Sequence, residues 1–179
     1  GNSGAAYAIS ADGSTIVGVI DAAFPNEEQA FRWTSQTGMV GLGYLPGYGK
    51  TLSIANDVSD DGAVVVGGCY TTQKQLEAFR WTEETGMIGL GTLPDAADSY
   101  ARGVSLNGEV IVGRSGSTAF RWTQDEGMTA LGVLPGDDRS GATAVSFDGS
   151  VIVGWSSNFD GNRAFIWDGT SGMRDLREV

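Results

Sequence analysis

The stretch AFRWT occupies residues 30–34, and the same five letters return at 78–82 and at 119–123. A related stretch, AFIWD, occupies residues 164–168. Alternate side chains of a β-strand point to opposite faces of its sheet, so Phe and Trp share one face of each copy. Ala, Arg and Thr share the other face in the first three copies, and Ala, Ile and Asp share it in the fourth. A small sheet with apolar side chains on both faces needs a cover on each side. The repetition therefore predicts sheets that pack face against face.

The repeat extends along the whole chain of 179 residues. Its tryptophans follow one another at intervals of 48, 41 and 45 residues. Each copy contains a stretch that runs into an Asp-Gly or Asn-Gly turn, a β-branched stretch that ends in glycine, the Ala-Phe-x-Trp stretch and a Gly-Met stretch. Short apolar pieces separated by Gly, Asp and Asn are typical of strands joined by tight turns. Because no stretch has a sustained helical spacing of apolar residues, the sequence predicts an all-β fold.

Four antiparallel strands in about 45 residues form the unit of a β-propeller blade. We therefore predict a β-propeller with four blades, at approximately residues 2–47, 48–95, 96–136 and 137–179. Two alternatives remain open from the sequence. The copies could form a parallel β-solenoid with about two rungs each, or they could be four blades of a larger propeller.

The recurring aromatic residues are expected to fill the gaps between neighbouring blades. Burial of such side chains contributes about 2–3 kcal/mol each by area. The glycine that ends the second strand of each copy is expected to let neighbouring sheets approach closely. The residues with this predicted inter-blade role are Phe31, Trp33, Phe79, Trp81, Phe120, Trp122, Phe165 and Trp167.

The charge of the chain is acidic, with 11 Lys and Arg against 22 Asp and Glu and a formal net charge of −11. Such a charge repels the phosphates of nucleic acids and the surfaces of anionic membranes. No apolar run has the length that crosses a bilayer. We therefore expect neither nucleic-acid binding nor membrane insertion.

Residue counts limit the chemistry of the chain, because it has no histidine and a single cysteine, Cys69. These counts exclude Ser-His-Asp and Cys-His catalysis as well as zinc sites that need several Cys or His ligands. Carboxylate pairs such as Asp137-Asp138 remain, but a glycosidase needs two carboxylates across a cleft. We expect no catalytic residue, no metal and no cofactor. A structural Ca²⁺ on the stretch NFDGNR at 158–163 is an open alternative.

The connection between the second and third strands takes most of the length variation among the copies. It spans 13 positions from Gly18 to Phe31 and only 7 from Gly113 to Phe120. Loops tolerate insertions better than packed strands, so these connections are expected on the surface, on the same side of every repeat. Aromatic side chains on such loops suit glycan or protein contacts, although they could instead cap the blade ends. The candidate binding residues are Phe24, Tyr70, Trp155 and Phe159.

The Ala-Phe-x-Trp, Gly-Met and Leu-Pro elements together resemble the HAF repeat, a family of bacterial repeats. The resemblance covers essentially the whole chain, with Ala-Phe-x-Trp at 30–33, 78–81, 119–122 and 164–167. It implies an extracellular, propeller-like protein and supplies no catalytic residues. The histidine of the family's name is absent, so no role of that histidine carries over. The residues in its place are Gln29, Glu77, Thr118 and Arg163.

These features predict a non-enzymatic binding or structural module, extracellular or at the cell surface, that contacts a protein or a glycan through its loops. Repeated surfaces and strand edges also allow association into a homo-oligomer. The alternative function is a carbohydrate-active enzyme that uses paired carboxylates.

Overall fold

Sixteen strands form four sheets in the computed structural model, which describes residues 3–21, 28–47, 52–70 and 75–179. Each sheet contains four strands in chain order. Every ladder between these strands is antiparallel. The predicted all-β fold with four antiparallel, four-stranded blades is thereby confirmed, and a parallel solenoid is excluded.

The strand bounds repeat from blade to blade. Blade 1 contains β1 (Gly4–Ile9), β2 (Thr15–Asp21), β3 (Glu28–Thr34) and β4 (Gly38–Gly41). Blade 2 contains β5 (Ser53–Val58), β6 (Val65–Tyr70), β7 (Leu76–Thr82) and β8 (Gly86–Gly89). Blade 3 contains β9 (Ser99–Val104), β10 (Ile111–Ser115), β11 (Thr118–Thr123) and β12 (Gly127–Gly132). Blade 4 contains β13 (Arg139–Val145), β14 (Val151–Asn158), β15 (Gly161–Asp168) and β16 (Gly172–Asp175), and a short 3₁₀ helix (Leu176–Glu178) follows.

Hydrophobic clusters lie between blades 1 and 2, between blades 2 and 3, and between blades 3 and 4. The first strands of successive blades also contact one another, so the blades follow an arc with these strands on its inner side. In blades 2 and 3, the Ala-Phe pair is divided between the two neighbouring blades. Phe79 belongs to the cluster with blade 1, whereas Ala78 belongs to the cluster with blade 3. The alternation of side chains along the strand thus explains why the chain repeats these residues.

A serine stabilises each hairpin between the first and second strands together with an aspartate, or with Asn107 in blade 3. In blade 2, Ser59 Oγ donates to Asp61 Oδ1 at 2.6 Å and accepts from the backbone N–H of Val64 at 2.9 Å. Gly62 follows with a φ of 69°, which glycine adopts without steric cost. Equivalent bonds occur at Ser10, Ser105 and Ser146.

The glycine of each second strand is required by a close contact inside its own blade. A Cβ on Gly113 would lie 2.0 Å from the carbonyl oxygen of Tyr100 and 2.9 Å from the ring of Phe120. The ladder between β9 and β10 shifts register at this point. The expected close approach of neighbouring sheets is therefore wrong for these glycines, because the bulged first strand of the same blade fills the space.

The two end blades each have one face without a neighbour, and no hydrophobic cluster joins blade 4 to blade 1 in the described part of the chain. The leading face of blade 1 contains Ala6, Ile9, Phe31, Trp33 and Met39. The trailing face of blade 4 contains Val153, Ala164 and Ile166 together with the ion pair between Arg174 and Asp168. The sequence left open whether the four blades close into a ring or are part of a larger propeller. The described residues form an open arc of four blades.

Candidate functional site

The connections between second and third strands and those that lead to the next blade emerge at the same end of every blade, because the strands alternate in direction. We call this end the loop face. Its described parts are the end of β6 with the start of β7, the connections at 42–47 and 90–98, the turn at 116–117, the connection at 133–138 and the turn at 159–160.

Phe159 stands at the tip of the turn between β14 and β15, and its relative exposure is 102%. The turn is held by Asn158, whose Oδ1 accepts from the backbone N–H of Asp160 at 2.8 Å. Its Nδ2 donates to the carbonyl oxygen of Gly136 at 3.0 Å. The phenyl ring is therefore presented to solvent by a hydrogen-bonded turn that is tied to the neighbouring connection.

The other three candidate binding residues have different surroundings. Tyr70 and Trp155 are half-buried. A Cβ on Gly141 would lie 2.8 Å from the indole of Trp155, so this ring lies against the first strand of its own blade. Phe24 lies outside the described residues. Tyr70 ends β6 and Phe159 follows β14 at the loop end of the blades, whereas Trp155 lies within β14; of the three, only Phe159 is fully exposed.

A strained residue marks the connection between blades 2 and 3. Asp95 has a φ of 64°, and it is the one non-glycine residue with positive φ in the described ranges. Gly47 and Gly136 occupy the same place in the connections of the other blades. Asp95 lines an open groove on the loop face together with Pro94, Asp98 and the turn at 116–117. Backbone strain of this kind costs about 1–2 kcal/mol and often marks a binding position.

Sequence reasoning missed a polar and aromatic cluster between the first strands of blades 2 and 3. The hydroxyl of Tyr100 donates to Asn56 Oδ1 at 2.8 Å, and Asn56 Nδ2 donates to the carbonyl oxygen of Ala101 at 2.7 Å. The guanidinium carbon of Arg102 lies 5.6 Å from the centroid of the Tyr100 ring. These residues occupy positions where the copies differ, so the repeat offered no signal for them. Their hydrogen bonds connect the two blades at the inner side of the arc.

The predicted inter-blade aromatics occupy two kinds of environment. Phe79, Phe120 and Phe165 are fully buried in the three clusters, and Phe31 is 3% exposed. The tryptophans are half-buried. Those packed against the cluster with the preceding blade are Trp81, Trp122 and Trp167. Trp33 lies at the equivalent position of blade 1, on the uncovered leading face.

The described acids do not form the arrangement that a glycosidase needs. The side chains of Asp137 and Asp175 are almost inaccessible to solvent, and the Arg163 guanidinium lies between them, 2.9 Å from the first and 3.5 Å from the second. Burial acts to raise the pKa of Asp137, but hydrogen bonds from Arg163 and Ser156 outweigh it and leave this pKa below its usual value. Hydrogen bonds from Arg177 lower the pKa of Asp175, so neither carboxyl is poised to act as a general acid. Burial raises the pKa of Asp57, but its carboxylate accepts from the backbone N–H of Val104 at 2.9 Å in a contact between blades.

The other candidate residues, Cys69 and the stretch at 158–163, take part in hydrogen bonds within the fold. Cys69 is buried, burial raises the pKa of its thiol, and its Sγ accepts from the backbone N–H of Leu45 at 3.4 Å. The stretch at 158–163 forms the turn described above. Among the residues that the structure describes, no group of three or more His, Cys, Asp or Glu side chains is placed to hold a metal ion. Within those same ranges, no helix is long and apolar enough to cross a membrane.

No protein-family model matches the chain, and no curated protein sequence matches it. Solved structures do match. Putative TolB from Agrobacterium tumefaciens has a TM-score of 0.65 at 19% identity, with 97% of this chain and 61% of that chain covered. TolB from Acinetobacter baumannii has a TM-score of 0.63 at 16% identity, with 98% and 43% covered. A prolyl endopeptidase has a TM-score of 0.63 at 11% identity, with 98% and 28% covered.

These similarities support the β-propeller fold. The chain spans only 61% and 43% of the two TolB chains. Because proteins with this fold include both TolB and a prolyl endopeptidase, the fold by itself does not decide whether the chain is an enzyme.

Proposed function

We propose that the chain is a non-enzymatic binding module, extracellular or at a bacterial cell surface, whose loop face contacts a protein or a glycan. The observation that carries the proposal is the full exposure of Phe159 on a turn fixed by Asn158. An aromatic ring held in solvent costs little conformational entropy when it stacks on a sugar or an apolar side chain. The strained Asp95 in a groove on the same face adds a second feature suited to binding.

The HAF-like sequence elements support the proposed extracellular location. The net charge of −11 disfavours nucleic acids and anionic membranes as partners. The carboxyls of Asp137 and Asp175 are bridged by Arg163, which leaves the carbohydrate-active enzyme without a specific observation in its favour. A structural Ca²⁺ is the alternative to the expected absence of a metal, and calorimetric titration of the chain with Ca²⁺ would test it.

A glycan array and a displayed peptide library are suitable probes for the proposed binding. The test variant is Phe159→Ala, and Phe147→Ala is its matched control. Both phenylalanines are exposed on turns of blade 4, at 102% and 60%, but Phe147 lies at the opposite end of the blade. We expect Phe159→Ala to lose at least about tenfold in affinity, which corresponds to about 1.4 kcal/mol, while Phe147→Ala binds as the wild type does.

The opposite pattern, or equal binding by both variants, would contradict the proposed role of the loop face. Absence of binding to either probe would contradict the proposed ligand classes. A second variant, Asp95→Gly, relieves the positive φ of a non-glycine residue and is expected to retain the fold. If the groove takes part in binding, Asp95→Gly also weakens the interaction.

A further inference from the structure

We infer that a groove between blades 2 and 3 binds an uncharged sugar, with Arg80 of blade 2 donating to its hydroxyls and Trp122 of blade 3 packing against its ring. The groove lies at the end of the blades opposite to the loop face, beside the turns at 107–109 and 124–126. The inference does not depend on ligand binding at the loop face. It does not depend on the uncovered end blades either, because blades 2 and 3 have a neighbour on each side.

Arg80 is the arginine of the second AFRWT copy, and its guanidinium differs from the other two in having no partner. Arg32 in the first copy donates from Nε to the carbonyl oxygen of Gly62 at 3.0 Å. Arg121 in the third copy pairs with Glu126 at 2.6 Å. In the described part of the chain, Arg80 is half-buried and has neither a hydrogen bond nor an ion pair. Burial lowers the pKa of its guanidinium, and no neighbouring group offsets this effect.

Two positions of the repeat explain why Arg80 lacks a partner. Blade 1 has Thr15 at the start of its second strand, and Thr15 Oγ1 accepts from the arginine of that blade at 3.4 Å. Blade 2 has Val64 there, whose side chain has no acceptor. Blade 3 has Glu126 before its fourth strand, whereas blade 2 has Thr85, whose hydroxyl is bonded to another threonine of the same turn. A ligand in the groove can supply the acceptor that the fold does not supply.

The groove has the size and the lining of a site for a small ligand. Its volume is about 530 Å³, and ligand pockets typically have about 300–1,000 Å³. Arg80 belongs to the wall formed by blade 2, and Trp122 belongs to the wall formed by blade 3. The indole of Trp122 also packs against the hydrophobic cluster between the two blades, which fixes its position. Gln124 and Asp125, both exposed, add an amide and a carboxylate to the lining.

These residue types suit a sugar ring. The C–H face of a pyranose packs on an indole, and its hydroxyls donate to carboxylates and accept from guanidinium and amide groups. The charge of the groove favours an uncharged ligand, because four carboxylates line it against two arginines. An anion would be repelled by this excess, whereas hydroxyls can use groups of either sign. The four carboxylates are those of Glu109, Asp125, Glu126 and Asp148.

The equivalent groove between blades 3 and 4 lacks a free arginine. It has Arg121 and Trp167 at the corresponding positions. Glu126 accepts from Nη1 of Arg121, so this guanidinium is already engaged within its own blade. Of these two grooves, only the one between blades 2 and 3 offers an arginine whose N–H groups are all available to a ligand.

Titration of the 179-residue chain with the methyl glycosides of glucose, galactose, mannose, fucose and N-acetylglucosamine tests the inference. Calorimetry and tryptophan fluorescence measure Kd, and thermal unfolding measures stability. We expect Arg80→Gln to weaken binding at least about tenfold, because it removes a charged donor to the sugar. Its melting temperature should not fall, since it removes a half-buried charge without a partner.

Arg32→Gln is the matched control, at the same position of blade 1 and outside the groove. It should show the reverse pattern, with a lower melting temperature and unchanged affinity, because it breaks the bond to Gly62 inside the fold. Absence of binding by all five glycosides would overturn the inference. A fall in melting temperature without a change in affinity for Arg80→Gln would also overturn it, since the arginine would then have a purely structural role.

Two further measurements separate this site from its alternatives. Tighter binding of methyl glucuronide than of methyl glucoside would overturn the uncharged ligand class. Phe159→Ala leaves the groove unchanged, so the binding that is lost in Arg80→Gln should persist in Phe159→Ala. Loss in Phe159→Ala with persistence in Arg80→Gln would place the sugar on the loop face. That result would overturn the inference and support the proposed function, so the two can fail separately.

Discussion

The backbone N–H of Ala78 donates to Oγ of Ser99 at 2.9 Å, across the boundary between blades 2 and 3. Ser99 Oγ donates in turn to the carbonyl oxygen of Gly91 at 2.6 Å, so one buried hydroxyl satisfies two backbone groups of the preceding blade. The same bond joins Ala30 to Ser53 and Ala119 to Ser140. Adjacent blades are therefore joined by a fixed polar contact as well as by apolar packing.

Removal of one of these hydroxyls should destabilise the fold. Ser99→Ala leaves a buried N–H without its partner, and we expect the free energy of unfolding to fall by about 1–3 kcal/mol. Urea denaturation followed by tryptophan fluorescence measures the change. Ser117→Ala, on the exposed turn between β10 and β11, should change stability by less than about 0.5 kcal/mol. Equal losses in the two variants would contradict the assigned role of Ser99.

The division of roles along AFRWT could be predicted from the sequence, because strand alternation alone places Phe79 and Ala78 on opposite faces. The bond of Ser99 could not, since a small hydroxyl suits a turn, a surface or a buried contact equally well. The uncovered ends could not be predicted either: Ile9 and Met39 have the same character as their buried counterparts. On the loop face, where packing imposes no template, binding by the candidate residues stays a prediction, and of those the structure describes only Phe159 is fully exposed.

The tryptophans should differ in their contribution to stability. Trp122 packs against the cluster between blades 2 and 3, so Trp122→Ala should cost about 3–5 kcal/mol. Trp33 lies on the leading face of blade 1, which no preceding blade covers, and Trp33→Ala should cost clearly less in the monomeric chain. Chemical denaturation at a concentration below any association gives both values. A cost for Trp33→Ala that matches the cost for Trp122→Ala would show that the leading face is covered within one chain.

The second-strand glycines should not accept even one methyl group. In Gly113→Ala, the new Cβ would stand 2.0 Å from the carbonyl oxygen of Tyr100, so the bulged strand would have to move. We expect a loss of at least about 2 kcal/mol in the free energy of unfolding. Gly169→Ala is the control, because no atom lies within 4 Å of the position that its Cβ would take. Thermal unfolding measures the melting temperatures of both variants. Similar melting temperatures for Gly113→Ala and Gly169→Ala would contradict the described contact.

Acid should remove a stabilising contribution of Asp175. Hydrogen bonds from the Arg177 side chain, at 2.7 Å and 3.1 Å, are the first cause that lowers the pKa of this carboxyl to about 2. Since the folded pKa lies below the ordinary value of 3.8, the carboxylate stabilises the fold above about pH 4, and this contribution is lost as the pH falls towards about 2. Asp175→Asn should therefore be less stable than the wild type near neutral pH and should lose less stability across that window. Urea denaturation at steps from about pH 6 to about pH 2 measures both curves. A curve for Asp175→Asn that runs parallel to the wild-type curve would contradict the prediction.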